Sequence, residues 1–156
     1  MDVIIKELPE QIGLEIRLTY PFARIGEAFD HGIGALMGFL GSHGMSPADC
    51  AGPIYAVYHN VDDPEAWDMS IGIPLRTSVE ASGEIHVTTI PGGKCAVLTH
   101  VGSYDQLKDA WEHMVKWLES SGNTPSAHPR ESYRIGMETE TDPEKLETDI
   151  IWPLAN

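Results

Sequence analysis

The sequence repeats its pattern of apolar, glycine and proline residues at a nearly constant spacing, and this repeat restricts the possible folds more than any other feature. A spacing of 78 residues relates six positions of the stretch 107–122 to six earlier ones. The matched pairs are Phe29 with Leu107, Ile33 with Trp111, Leu36 with Met114, Phe39 with Trp117, Leu40 with Leu118 and Gly44 with Gly122. The same spacing relates Tyr55 to Tyr133, and 79 residues separate Pro74 from Pro153. We interpret the chain as two copies of one unit, repeat 1 at about residues 1–76 and repeat 2 at about residues 83–156.

The second copy carries the clearest local signals. Residues 84–90 and 94–101 favour two strands, and the Pro-Gly-Gly run between them is typical of a hairpin turn. Ser103 followed three residues later by Gln106 predicts a capping box, so a helix should begin there and should end at Gly122. The apolar stripe of this helix consists of Leu107, Trp111, Met114 and Leu118.

The first copy predicts the same elements in the same order. Residues 3–7 and 12–18 favour a hairpin, and a helix should follow at about residues 22–42. Its interior contains Gly26, Gly32, Gly34 and Gly38. Each of these four glycines costs about 1 kcal/mol relative to alanine, so tertiary packing must stabilise the helix. These small residues either permit another element to approach the helix closely or mark a break at residues 32–34.

Two further strands should follow each helix, at residues 54–59 and 67–73 and again at 131–137 and 147–152, with an acidic segment at 138–146. The sum is a β-β-α-β-β unit present twice. This order predicts an α+β fold in which a tandem duplication forms one antiparallel sheet with two helices on one face. We expect a single domain over residues 1–156 with a pseudo-twofold axis.

The charge composition limits the class of partner. The chain has 24 acidic and 10 basic residues, a net charge of −14, which repels phosphate backbones and modestly favours cations. We therefore expect no direct nucleic-acid binding. The longest apolar stretch is too short to span a bilayer and no secretory signal opens the chain, so we expect no membrane partner and a cytoplasmic protein. Cys50 and Cys95 are isolated, and the seven histidines show no metal-ligand spacing, so we expect neither a metal nor a cofactor.

Glu131 and Tyr133 are the first candidate site residues. They are two positions apart in a predicted strand, so their side chains should leave the same face of the sheet. A carboxylate beside aromatic rings can hold a lipophilic cation through its charge, while the ring faces add cation–π attraction of about 0.5–2 kcal/mol. The same carboxyl group could act as a general acid or base. The alternative is a solvated or capping glutamate at the start of a strand.

Several segments together resemble a known family, the GyrI-like effector-binding domain, which is also found at the end of multidrug-sensing transcription activators. The resemblance rests on HVGSYDQLKDAWEHMVKWLESSG, PRESYRIG and ETDIIWPL. The positions that match the family pattern are His100, Gly102, Tyr104, Ala110-Trp111, Trp117-Leu118, Glu131, Tyr133 and Trp152-Pro153. The resemblance implies a ligand cleft at the pseudo-twofold axis that binds bulky amphiphilic, aromatic or cationic molecules, with an acidic residue among aromatic ones. Because the duplication uses the whole chain, we expect a stand-alone version without a DNA-binding module.

The repeat adds further candidates for the lining of this cleft. Tyr55 occupies the repeat position of Tyr133, whereas Pro53 occupies that of Glu131, so the cleft should have two tyrosines but its acid on one side only. Trp111 and Trp152 could line the cleft or pack in the core, and Tyr104 lies at the start of the second helix. The predicted ligand-binding residues are Glu131, Tyr133, Tyr55, Trp111, Trp152 and Tyr104.

Three functions remain open from the sequence. The first is the binding or sequestration of drug-like or effector molecules, which involves no catalytic residue. The second, implied by the resemblance, is a hydrolase in which Glu131 helps to open strained cyclopropane-type electrophiles. The third is an interaction protein that inhibits a larger enzyme such as gyrase through its acidic surface. A protein partner or a homodimer formed through exposed edge strands is compatible with the sequence.

Overall fold

The computed structural model describes residues 2–136 and 139–156, and within these ranges the chain forms eight strands and two α-helices. The strands are β1 (Val3–Leu8), β2 (Gln11–Tyr20), β3 (Tyr55–Asn60), β4 (Trp67–Leu75), β5 (Ile85–Ile90), β6 (Gly93–Val101), β7 (Arg130–Ile135) and β8 (Glu147–Pro153). The helices are α1 (Ile25–Ser42) and α2 (Leu107–Ser121). Short 3-10 turns occur at Phe22–Arg24, Pro47–Asp49, Tyr104–Gln106 and Pro143–Lys145.

These elements form two compact units. Unit 1 consists of Met1–Pro9 and Pro91–Asn156, and unit 2 consists of Glu10–Ile90. Unit 1 is a four-stranded antiparallel sheet in the order β1-β6-β8-β7 that packs against α2. Unit 2 is a four-stranded antiparallel sheet in the order β3-β4-β2-β5 that packs against α1. The predicted α+β class with antiparallel strands is confirmed, while the single domain with a pseudo-twofold cleft stays a prediction.

Both predicted hairpins are wrong, because the strands before the two helices exchange partners. β1 pairs with β6 over all its six residues, and β2 pairs with β5. Two features explain the error. In the first copy, a tight two-residue hairpin would need residues with positive φ, which Pro9 and Glu10 do not have. In addition, the two copies share one apolar pattern, which indicates the face that each strand buries but not the strand that lies beside it.

Helix α1 is continuous through its glycines. Its buried face consists of Ala28, Gly32, Leu36 and Leu40. A Cβ atom at Gly32 would lie 2.8 Å from Cδ1 of Ile71 in β4, so the absent side chain lets the strand approach the helix closely. The predicted close approach is confirmed, and the alternative of a break at residues 32–34 is wrong.

The glycines of α1 allow a matched test of packing against helix propensity. A Cβ at Gly38 would meet no atom within 4 Å, so Gly38→Ala should raise the free energy of unfolding by about 0.5–1 kcal/mol in urea denaturation. Gly32→Ala gains the same propensity but pushes into Ile71, so it should lower the free energy of unfolding by about 1–2 kcal/mol. Equal stability of the two variants would contradict the packing of α1 on β4.

The predicted end of helix α2 is confirmed, but the capping box predicted at its start is not formed. The turn Tyr104–Gln106 precedes the helix, and the amide of Gln106 donates to the carbonyl of Ser103 at 3.2 Å. The Ser103 side chain makes no cap hydrogen bond, so the predicted capping box is not formed. Gly122 ends the helix in the left-handed conformation with φ of 75°, as predicted.

The buried stripe of α2 packs on the sheet of unit 1. Ala110, Met114 and Leu118 contact a cluster that includes Leu98 of β6 and Ile150 of β8. Leu107 and Trp111, which the sequence places in the same stripe, lie half-buried at its border. The helix therefore presents Trp111 at the edge of the core.

Two predicted boundaries fall on residues outside the described ranges. The predicted strand 131–137 ends at Met137 and the predicted acidic segment begins at Glu138, and neither residue is described. No helix in the described ranges combines the length and the apolar character that crossing a membrane requires.

Candidate functional site

A buried carboxylate on the helix-facing side of unit 1 is the centre of the candidate site. Glu131 of β7 lies opposite Ile150 of β8 and is only 5% exposed. Ile150 belongs to the core cluster that packs on α2, and residues directly opposite each other share a face of the sheet. The side chain of Glu131 therefore points towards α2 rather than into solvent.

Two neutral donors hold this carboxylate. Nε1–H of Trp111 in α2 donates to Oε2 of Glu131 at 2.6 Å. The hydroxyl of Tyr133, two residues along β7, donates to Oε1 at 2.6 Å. These two bonds fix the position of the carboxylate, one at each oxygen. Hydrogen bonds to a charged acceptor are also stronger than bonds between neutral groups.

Further aromatic rings extend this arrangement on both sides. The ring of Tyr104 meets that of Tyr133 edge-on, with centroids 6.0 Å apart at 75°. The rings of Trp111 and Trp152 are 6.1 Å apart at 71°. Such edge-to-face pairs are favourable by about 0.5–1.5 kcal/mol beyond the area they bury. We call the five residues Tyr104, Trp111, Glu131, Tyr133 and Trp152 the Glu131 cluster.

Strand β8 has two buried polar atoms, one on Trp152 of the cluster and one on Thr148. Nε1 of Trp152 and Oγ1 of Thr148 are buried, and no other described residue supplies a hydrogen-bond partner for either. Thr148 lies opposite His100 of β6, whose Nε2 is 2.9 Å from the carbonyl oxygen of Ser103. A buried polar group without a partner costs about 1–3 kcal/mol, and sites that bind ligands often contain such groups.

A small pocket adjoins the cluster at Tyr104. Its volume is about 180 Å³, and it lies next to the cluster rather than over Glu131. Two acidic residues, Asp105 and Glu140, are among those that line it. The described residues that line it are Ser103, Tyr104, Asp105, Glu140, Thr141, Pro143 and Leu146. Tyr104 thus contacts both the pocket and Tyr133, which itself binds Glu131.

The structure brings together five of the six predicted ligand-binding residues, and the sixth, Tyr55, lies in unit 2. Tyr55 is 2% exposed and its hydroxyl donates to Oε2 of Glu15 at 2.6 Å. It lies opposite Gly72 of β4. The neighbouring Ile71 contacts α1, so Tyr55 is on the other face of its sheet, away from the helix.

The strand registers also correct the equivalence that the repeat indicated. Ile71 in the IGIPL run corresponds to Ile150 in IIWPL. Ala56 lies opposite Ile71, just as Glu131 lies opposite Ile150. Counted from this pair, the counterpart of Tyr133 is Tyr58 rather than Tyr55. The error arose because a spacing that fits the helices does not fit strands that follow loops of different length.

Unit 2 contains an aromatic group that is not among the predicted ligand-binding residues. The rings of Phe22 and Trp67 have centroids 4.7 Å apart, and those of Tyr58 and Trp67 are 5.9 Å apart. Phe22 begins the 3-10 turn before α1, as Tyr104 begins the turn before α2, and it is 53% exposed. With Ala56 in the position of Glu131, this group repeats the aromatic character of the Glu131 cluster without its acid. This group could have been found from the sequence, because an aromatic residue lies just before each helix, Phe22 before α1 and Tyr104 before α2.

Neither the cysteines nor the histidines form a second reactive centre in the part of the chain that is described. Burial raises the pKa of both Cys50 and Cys95, so each is a protonated thiol at neutral pH. No group of three or more metal-ligating side chains occurs among the described residues. The chemistry of the candidate site is therefore that of a carboxylate and aromatic rings.

Comparison with known proteins identifies one matching family and several solved structures of similar fold. The family, described as the GyrI-like small molecule binding domain, matches residues 1–155. The EcmrR C-terminal domain has a TM-score of 0.77 at 24% identity, with 99% of this chain and 98% of that chain covered. In the EcmrR–DNA complex the TM-score is 0.79 at 23% identity, and the 99% of this chain that aligns spans 57% of EcmrR.

Two other solved structures resemble this chain at lower identity. A hydrolase from Listeria innocua has a TM-score of 0.69 at 14% identity, with 98% of this chain and 91% of that chain covered. SAV2435, solved in complex with tetraphenylphosphonium, has a TM-score of 0.65 at 20% identity, with 100% of this chain and 95% of that chain covered. At these identities the likeness establishes the fold.

Proposed function

The chain belongs to the GyrI-like small-molecule-binding family, and from this premise we propose that it captures bulky cations that carry aromatic or amphiphilic groups. The observation that carries the proposal is the carboxylate of Glu131, buried between α2 and its sheet and hydrogen-bonded by Trp111 and Tyr133. A cationic ligand that meets this carboxylate would be attracted by its charge, and this attraction is stronger in buried surroundings than in water.

The chemistry of the cluster matches a lipophilic cation better than a small hydrated one. A cation whose charge is screened by phenyl or alkyl groups loses little hydration when it leaves water. The attraction of a carboxylate increases as the surroundings become less polar. The half-buried rings of Tyr104, Trp111 and Trp152 would add apolar contact and cation–π attraction of about 0.5–2 kcal/mol per favourable ring.

The size of the pocket implies that a bulky ligand rearranges its walls. Ligand pockets usually measure about 300–1,000 Å³, and the pocket at Tyr104 is smaller, at about 180 Å³. Asp105 and Glu140 on its wall would attract a cation to this position. We infer that the ligand enters beside Tyr104 and displaces its ring to reach Glu131. The complex of SAV2435 with tetraphenylphosphonium, a protein of the same fold, supports this ligand class.

A pair of ions that differ in charge but not in shape tests the proposal. Tetraphenylphosphonium and tetraphenylborate would be titrated separately into the protein and followed by calorimetry. The phosphonium should bind with a micromolar Kd and the borate at least tenfold more weakly, because the site is acidic. Equal affinities would show that the site does not select charge. Binding of neither ion would overturn the proposal and favour an interaction with another protein.

A hydrolase is the second candidate, and the hydrogen bond between Tyr133 and Glu131 favours it. This bond places a hydroxyl 2.6 Å from a carboxylate that could assist the attack of water on an electrophile. The Listeria innocua hydrolase of similar fold supports the same idea. Incubation with a strained cyclopropane electrophile, followed by mass spectrometry, should give the product of water addition if this candidate is correct. Reversible binding without a product would exclude turnover of that substrate.

A further inference from the structure

The first strand of the chain has an open edge with exposed apolar residues. β1 pairs with β6 on one side, and the described residues place no strand on its other side. Ile4 and Ile5 are 47% and 48% exposed, an unusual amount for two adjacent isoleucines. Natural edge strands are usually protected by proline, a bulge or several charges. The register of β1 with β6 runs without a bulge over all six residues, and Lys6 is its only basic residue.

The two faces of β1 are different in character. Val3 packs against the core cluster under α2, whereas Leu8 packs against the cluster on the opposite face. By the alternation of a strand, Val3 and Ile5 share the α2 side, while Asp2, Ile4 and Lys6 lie on the reverse side. Asp2 and Lys6 are both exposed, and neither takes part in an ion pair among the described residues.

Symmetry limits the ways in which two such edges can join. Two antiparallel copies of a strand in one continuous sheet are related by a twofold axis perpendicular to the sheet, and this axis keeps each side chain on its own face. Residues opposite each other must then lie on the same face, so the axis passes midway between one residue and its copy, which face each other across it. Over the described residues 2–8, this residue is Ile4, Ile5 or Lys6 in the registers that pair at least five residues of each strand.

Only one of these three registers places opposite charges across from each other and apolar residues across from apolar residues. With Ile4 on the axis, Ile4 faces its copy, Val3 faces Ile5, and Asp2 faces Lys6. With Ile5 on the axis, Ile4 would face Lys6 and Val3 would face Glu7. With Lys6 on the axis, two ammonium groups would face each other. Opposite charges directly across a strand pair are favourable and like charges are not.

We propose that β1 is a homodimer surface on which two copies of the chain join their sheets edge to edge, with Ile4 on the twofold axis. The interface consists of backbone hydrogen bonds along the strand, a central contact between the two Ile4 side chains, and two Val3–Ile5 contacts. Two ion pairs between Asp2 and Lys6 select the register. The edge is self-complementary, so the assembly closes at two copies. The Glu131 cluster takes no part in this surface, so the inference is independent of the proposed ligand.

Charge reversal at the ends of this register tests the proposal. Sedimentation equilibrium at 0.15 M salt would be run on the wild type, Asp2→Lys, Lys6→Glu and the double variant. Each single substitution turns both ion pairs into like-charge pairs, so each should raise the dimer Kd by at least about fivefold. The double variant restores both pairs with reversed polarity and should return the Kd to within about twofold of the wild type.

A mixture of Asp2→Lys and Lys6→Glu tests whether residue 2 of one chain faces residue 6 of the other, as only the register centred on Ile4 requires. In a mixed pair, the lysine introduced by Asp2→Lys in one chain faces the glutamate introduced by Lys6→Glu in the other. The unchanged Lys6 of the first chain faces the unchanged Asp2 of the second. Both contacts then join opposite charges, so the mixture should form a heterodimer although each variant alone is weakened.

Two controls complete this test. The circular dichroism of each variant should match that of the wild type, since both positions are exposed. A wild type that stays monomeric at about 300 µM, where a dimer with a Kd of about 100 µM or less would be mostly assembled, would overturn the proposal. Failure of the double variant or of the mixture to dimerise, or the growth of oligomers larger than two, would also overturn it.

Discussion

Substitution of Glu131 by glutamine should weaken the binding of tetraphenylphosphonium by at least tenfold, a loss of about 1.4 kcal/mol or more. Glutamine keeps the length and shape of the side chain but removes the charge that the cation would meet. It can still accept a hydrogen bond from either Trp111 or Tyr133, although its amide group can no longer accept from both. The Kd would be measured by calorimetry on the wild type and Glu131→Gln under identical conditions.

Glu112→Gln is the matched control for this experiment. Glu112 lies next to Trp111 on α2 but is exposed, so its substitution removes the same charge without changing the cluster. The control should change the Kd by less than about twofold. At 0.1 M salt, the solvent ions largely screen the attraction between an exposed charge and a ligand more than about 10 Å away. If both variants weaken binding equally, the protein attracts the cation through its net charge alone. If Glu131→Gln binds normally, the ligand does not meet this carboxylate.

The same variant separates the two candidate functions. A binding protein loses affinity when Glu131 is replaced, whereas a hydrolase that uses this group loses turnover even at saturating substrate. A fall in kcat without a change in KM would therefore favour the hydrolase. A rise in Kd with no product in the wild type would favour capture.

Substitution of Gly72 by alanine should have the largest effect on stability, because Tyr55 lies across this glycine to reach Glu15. A Cβ atom at Gly72 would be 2.5 Å from both Cζ and Oη of Tyr55 and 2.8 Å from Cγ of Glu15. All three residues are buried, so none can move into solvent. Gly72→Ala should lower the free energy of unfolding by roughly 2–4 kcal/mol in urea denaturation, through overpacking and loss of a buried hydrogen bond.

A double-variant cycle shows whether the ring of Tyr55 causes this loss. Tyr55→Ala is itself destabilising, but it removes the atoms that a Cβ at Gly72 would meet first. In that background Gly72→Ala should cost less than about 1 kcal/mol, so the two effects should be strongly non-additive. Additive effects would mean that Gly72 is required for its backbone conformation and not because the ring of Tyr55 occupies the place of a side chain.

Most of the local structure followed from short-range signals in the sequence. The apolar stripe predicted α2, and Gly122 predicted its end, because both signals act within one or two turns of a helix. The spacing of two between Glu131 and Tyr133 predicted that both side chains leave one face of β7, and the hydrogen bond between them agrees with this. The capping box failed because a 3-10 turn already uses the amide of Gln106.

The contacts between distant residues could not be derived in the same way. Glu131 and Trp111 are 20 residues apart and meet only because α2 packs on the sheet of unit 1. Glu15 and Tyr55 are 40 residues apart, and their bond depends on the absence of a side chain at Gly72 between them. Glu15 gave no local sign of its role, since a glutamate in an alternating strand would normally face solvent.

The sequence by itself determined the order of helices and strands, the duplication and the pairing of Glu131 with Tyr133 on one face, because propensity and periodicity act over a few residues. Only the tertiary structure decided that β1 joins β6 rather than β2, and that the counterpart of Tyr133 is Tyr58 rather than Tyr55. Two copies with one apolar pattern offer each strand more than one acceptable neighbour. Which strand pairs with which is decided only when the whole chain packs, because it depends on the lengths of the loops, on how closely helices and strands can approach, and on how the complete sheets fit.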